Sequence, residues 1–133
     1  MVQQEYLLQL AAIEQEMTRM EQQIQLIDQQ VLEMQNLQSG LQELEKSKEK
    51  SMLANLGKNI FIKTEIQDKN LLVDVGNKVL VKKNIDETLE VIEDQLGKLM
   101  DAKGKVMKKM QEVQQQTEKI IIAAEKESRK DKK

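Results

Sequence analysis

The fold class that the sequence predicts is mainly α with a small β module: an antiparallel coiled-coil hairpin of two long helices joined by two short β-hairpins. Three observations predict it. Apolar residues recur in alternating steps of four and three over two long stretches, the signature of a heptad seam. The stretch between them switches to the two-residue period of strands, punctuated by turn residues. Finally, the chain has one Tyr, one Phe, no Trp and no Pro, with 33% charged residues, so the rings that fill globular cores are nearly absent while helix formers abound.

The first helix is expected over 1–50. Its seam runs Tyr6, Leu10, Ile13, Met17, Met20, Ile24, Ile27, Val31 and Met34, with mostly Gln and Glu between, residues that favour helix and stay in solvent. After Met34 the next position in step is Gln38, followed by Ser39 and Gly40. A shifted seam at Leu37, Leu41 and Leu44 is expected there, an inserted step that would locally alter the supercoil.

The insert, 51–83, is expected to form four strands in two hairpins. Ile60–Ile66, Leu71–Val75 and Lys78–Lys82 are β-branched and roughly alternating, and Met52–Leu56 before Gly57-Lys58-Asn59 supplies a further strand and turn. Gln67–Asn70 connects the hairpins, and Gly76-Asn77 reads as a tight two-residue turn. The second helix, within 84–133, keeps its seam without a slip at Ile85, Leu89, Ile92, Leu96, Leu99, Lys103, Val106, Met110, Val113, Thr117, Ile120 and Ala124. Only Lys103 and Thr117 place polar groups on it. Asn84 with Glu87 three residues on is a capping box, and Asp86 adds negative charge where a helix N-terminus welcomes it. Helix, insert and helix together constitute one structural domain.

Each helix would be about 65–70 Å long at about 1.5 Å per residue. Two arms of similar length, each with one apolar stripe, bury those stripes most simply by folding back on one another. The insert cannot stand alone, because small isolated sheets are marginal in water. Ile60, Ile62, Ile66, Val73, Val75, Val79 and Val81 can share one face, while Phe61, Leu72 and Leu80 project from the other, next to Leu71 at the start of its strand. Apolar residues on both faces predict obligate oligomerisation through these strands.

At the far end of the arms the apolar surface exceeds what a seam needs. Tyr6, Leu7, Leu8 and Ala11 face the continuous run Ile120, Ile121, Ile122 and Ala123. Such excess marks a contact site for another molecule; it also reads as a plug against fraying. The basic end, Lys126, Arg129, Lys130, Lys132 and Lys133, reads as a solvated tail.

Several functions are excluded. His and Cys are absent, removing the commonest general base, the thiol nucleophile and the soft metal ligands, and no Gly-rich phosphate loop occurs. No enzyme, metal or cofactor is therefore expected. With 21 basic and 23 acidic residues the net charge is −2, so nothing drives the chain onto nucleic acid or an anionic membrane. The first residues lack a basic start followed by an apolar run, and no apolar stretch approaches the roughly 20 residues that span a bilayer. A cytoplasmic location is expected.

The stretch from Gly57 to Glu93 resembles the alpha-class subunit of prefoldin, of an archaeal type. It carries Gly57–Ile66, then Leu71–Lys83 with its Val73-Asp74-Val75-Gly76 turn, then the capped helix start Asn84–Glu93, set between two heptad arms. The resemblance covers essentially the whole chain, and the double hairpin points to the alpha class, since the beta class carries one. It implies an ATP-independent chaperone, a hexamer of two alpha and four beta-class subunits joined through β-barrels. It further implies capture of non-native polypeptides at the tips and their delivery to a group II chaperonin. By position, the tip contacts would be Tyr6, Leu7, Leu8, Ala11, Ile120, Ile121, Ile122 and Ala123. The alternative is a structural coiled-coil scaffold or tether, which explains the arms equally well but neither the two-faced strands nor the apolar ends.

Overall fold

A computed structural model describes residues 2–131. The elements are α1 (Val2–Lys46), β1 (Ser51–Gly57), β2 (Ile60–Glu65), β3 (Leu71–Asp74), β4 (Leu80–Lys83) and α2 (Ile85–Asp131). Two long helices thus carry two small antiparallel hairpins between them. The chain divides into two compact units, one made of α1 up to Val31 with α2 from Gly97, the other of residues Leu32–Leu96.

In the first unit the helices pair side by side and antiparallel. Asp28 of α1 meets Lys103 of α2 at 2.8 Å, and Tyr6, earlier on α1, lies near Glu127, later on α2. The expected seam positions from Tyr6 to Val31 and from Leu99 to Ala124 are all buried or half-buried, with Met20 and Val113 the most enclosed. Both polar interruptions are accommodated. Lys103 lays its stem along the seam and sends its ammonium out to Asp28. The Thr117 hydroxyl donates to the carbonyl of Val113 one turn back, 2.9 Å away.

The second unit has its own small core. Leu41, Ile85 and Ile92 are buried, with Met34, Leu44, Leu71, Leu89 and Leu96 packed against them. Here the expected slip of the seam does not fall at Leu37. Gln38 is half-buried in step with Met34 and Leu41, while Leu37 is 49% exposed. Helix geometry explains this: bringing Leu37 inward would rotate every following residue by about 100°. Leu41 belongs to both the shifted and the unshifted count, which made the slip legible one step too early. The irregular step falls later, between Leu41 and Leu44.

Helix α1 ends near Lys46 rather than running to 50. Its last carbonyls find a donor from outside the helix, for the Lys69 ammonium reaches the carbonyls of Glu45 (3.1 Å) and Ser47 (2.8 Å). A cation at a helix C-terminus satisfies orphan acceptors and complements the dipole. Helix α2 starts as expected, with Asn84 Oδ1 accepting from the Glu87 N–H at 2.7 Å and the Asn84 carbonyl accepting the Thr88 hydroxyl at 2.9 Å. That second bond lets Thr88 be buried with its polar atom satisfied.

The hairpins pair β1 with β2 and β3 with β4, and their turns are built alike. In the first, Asn55 Oδ1 accepts from the Gly57 N–H (2.8 Å); in the second, Asp74 Oδ1 accepts from the Gly76 N–H (2.8 Å). Gly57 and Gly76 have φ of 124° and 110°, and the pairs Lys58/Asn59 and Asn77/Lys78 follow with φ between 49° and 63°. Positive φ at both central residues is the type I′ hairpin turn, whose twist matches that of the strands. The second turn is therefore centred on Asn77 and Lys78, one residue later than Gly76-Asn77. Gly76 instead supplies the residue before the turn, a conformation closed to a side chain at little strain.

Candidate binding surfaces

In the first unit the predicted contact residues separate into two roles. Tyr6 and Ile120 lie on the seam and are half-buried, as is Ala123. Leu7, Leu8, Ile121 and Ile122 are 64%, 71%, 43% and 53% exposed, and Ala11 is exposed too. Four aliphatic side chains on paired helix ends thus face solvent without serving the seam. The Tyr6 hydroxyl is held above its usual pKa by partial burial of the ring, then by the charge and hydrogen bond of Glu127, and least by Glu5. It stays neutral beside the exposed cluster. Of the basic end, Lys126, Arg129 and Lys130 are exposed, whereas Lys132 and Lys133 lie outside the described residues.

Next to this cluster a cleft of about 670 Å³ opens between the helices, lined by Leu10, Ile13, Glu14 and Met17 of α1 and Gln114, Thr117 and Glu118 of α2. Sequence reading flagged Thr117 only as an interruption; that a small residue on a seam leaves its opposite knobs uncovered was the available signal.

In the second unit the strands leave apolar side chains exposed on both faces. Register places Ile62 across from Ala54, Val73 across from Val81, Phe61 across from Asn55 and Leu80 across from Asp74. Ile60, Phe61, Ile62, Leu72, Val75, Val79 and Leu80 are each at least half exposed, and Val81 is exposed as well. Ile66 and Val73 are half-buried, and Leu71 packs on the Leu41–Ile85–Ile92 core within the chain. Leu53 and Leu56, on β1, add exposed surface that the strand prediction did not single out. Near the helix ends the carboxylates of Glu45 and Asp86 are neighbours. Asp86, by hydrogen bonding to the protonated form and by its charge, and then partial burial raise the Glu45 pKa against the opposing pull of Lys46 and Lys69. Among the described residues no group of three or more His, Cys, Asp or Glu is placed to hold a metal ion, and no helix is long and apolar enough to cross a membrane.

Paired heptad helices with exposed apolar ends, and strands with two exposed apolar faces, define a coiled-coil hairpin protein. The family model described as prefoldin subunit matches residues 13–130, and the chain belongs to the prefoldin family, whose members are chaperones rather than enzymes. Among solved structures, the chain is similar to the filamentous prefoldin (PFD) of Methanocaldococcus jannaschii seen by cryo-EM. That similarity has a TM-score of 0.75 and 18% identity over 84% of this chain and 94% of that one, which establishes a shared fold. No curated protein matches the chain.

Proposed function

We propose that this prefoldin-family chain is the alpha-class subunit of a hexamer with four beta-class subunits. In this reading it is an ATP-independent holdase that takes up non-native polypeptides at its paired helix ends and passes them to a group II chaperonin in the cytoplasm. Two hairpins between the helices support the alpha class, since the beta class carries one. The strand residues Ile60, Phe61, Ile62, Ile66, Leu72, Val73, Val75, Val79, Leu80 and Val81 are proposed to serve assembly, Leu71 being taken up by the chain's own core. Most of them expose apolar surface that a subunit interface would bury. The contacts to client are Tyr6, Leu7, Leu8, Ala11, Ile120, Ile121, Ile122 and Ala123.

The observation that carries client capture is the exposure of Leu7, Leu8, Ile121 and Ile122. Apolar side chains in water gain about 25 cal/mol per Å² on burial, whatever the sequence of the partner, which suits a site for unfolded chains. The test replaces all four with Ser in the assembled complex and measures suppression of aggregation of a chemically denatured protein without nucleotide. Helix content and assembly should persist, because none of the four serves the seam, while suppression is lost. Full suppression by the variant would favour the scaffold instead.

A further inference from the structure

The cleft between the helices has a small seam residue, Thr117, in its lining. Thr117 occupies a seam position with a side chain one carbon shorter than Leu, and its hydroxyl is turned back to the Val113 carbonyl at 2.9 Å. Leu10, Ile13 and Met17 of α1 therefore lack a large apolar partner there and remain half-exposed around about 670 Å³ of open space. Met17 lends the wall an adaptable, polarisable surface.

The rim of the cleft is acidic from both sides. Glu14 comes from α1 and Glu118 from α2, no Lys or Arg lines the cleft, and among the described residues neither carboxylate has a salt-bridge partner. An apolar floor between two solvated carboxylates selects for a particular ligand chemistry: an aliphatic side chain to fill the floor, with cationic side chains next to it along the chain. An acidic segment with the same aliphatic residue would meet like charge at both edges.

We infer that this cleft is a docking site for cationic, aliphatic polypeptide segments, an aliphatic side chain lying on Leu10, Ile13 and Met17 while flanking Lys or Arg residues pair with Glu14 and Glu118. The inference rests on the holdase reading and deepens it, assigning a charge preference to the clients and a site apart from the exposed cluster at Leu7, Leu8, Ile121 and Ile122.

The probe is a short labelled peptide of aliphatic residues flanked by lysines, beside a counterpart with glutamates in the same places, titrated onto the full-length assembled protein by fluorescence anisotropy. The lysine peptide should bind about tenfold tighter than the glutamate peptide at low ionic strength, two exposed charge pairs each contributing a few-fold, and salt should narrow the gap. Glu14→Gln with Glu118→Gln should erase the preference. Glu16→Gln with Glu112→Gln, which removes the same charge from exposed positions outside the cleft, should leave it intact. Thr117→Leu should fill the cleft, raise the melting temperature and weaken the lysine peptide at least about fivefold. Equal binding of the two peptides, unchanged binding by Thr117→Leu with its melting temperature raised, or equal effects of the two Gln pairs would each overturn the inference. So would a concentration-dependent self-association that Thr117→Leu abolishes, since a second copy would then be the occupant. Aggregation suppression that survives these failures would leave the holdase reading standing.

Discussion

The division between side chains that hold the fold and side chains proposed to meet clients is open to direct measurement at two isoleucines. Ile92 is 3% exposed, packed with Leu41 and Ile85 inside a ring of Met34, Leu44, Leu71, Leu89 and Leu96. Ile122 is 53% exposed. Truncating either to Ala removes the same carbons. At Ile92 the lost transfer energy is about 2.4 kcal/mol at ~0.8 kcal/mol per carbon. A cavity contribution adds to it, but the half-exposed ring can close in, so a total of about 3 kcal/mol is expected, in the lower part of the range for such truncations. For a chain of this size each kcal/mol moves the midpoint by about 3–5 °C, so Ile92→Ala should melt about 10–15 °C below the parent when helix content is followed by circular dichroism. Ile122→Ala should stay within about 0.5–1 kcal/mol of the parent, as surface changes do, while lowering aggregation suppression. A midpoint shift below about 3 °C for Ile92→Ala, or equal losses from the two variants, would refute the assignment of these side chains to core and surface.

Two further outcomes test the junctions of the second unit. Asn84→Ala removes the acceptor of the Glu87 N–H, so it should destabilise the protein by about 1 kcal/mol in urea denaturation, and Asn84→Ser should recover most of that. At Glu45 the hydrogen bond to Asp86 raises the folded-state pKa above the usual 4.5, so the protonated form is the one folding favours. The associated stabilisation is complete below the unfolded-state value and is lost as pH rises through the folded value. Glu45→Gln keeps a neutral partner for Asp86 at every pH, so its melting temperature should match the parent in acid and exceed it near neutrality. A difference that stays constant with pH would exclude the shared proton.

Much of the architecture was legible because it rests on periodicity. The seam from Tyr6 to Val31 and from Ile85 to Ala124 follows from heptad spacing, and each of its positions is buried or half-buried. The capped start of α2 was legible for the same local reason, since Asn84 and Glu87 are neighbours in sequence. The slip near Leu37 was misread because Leu41 fits two counts and only the continuous helix chooses between them. The end of α1 was placed too late because its cap, Lys69, comes from more than twenty residues downstream, a distance that no local rule reaches.

By itself the sequence determined where the period is seven and where it is two, and hence which residues become helix and which become strand, because backbone geometry converts spacing directly into a face. It also determined that apolar side chains outnumber the positions one chain can bury. Only the tertiary structure decided which of those side chains are left over. Antiparallel pairing sets Thr117 against Leu10, Ile13 and Met17 and opens a cleft between Glu14 and Glu118. Folding of the second unit draws Leu71 into the core and leaves Leu72 in water. The physical reason is that burial is a property of two surfaces meeting, whereas a sequence pattern describes one surface at a time.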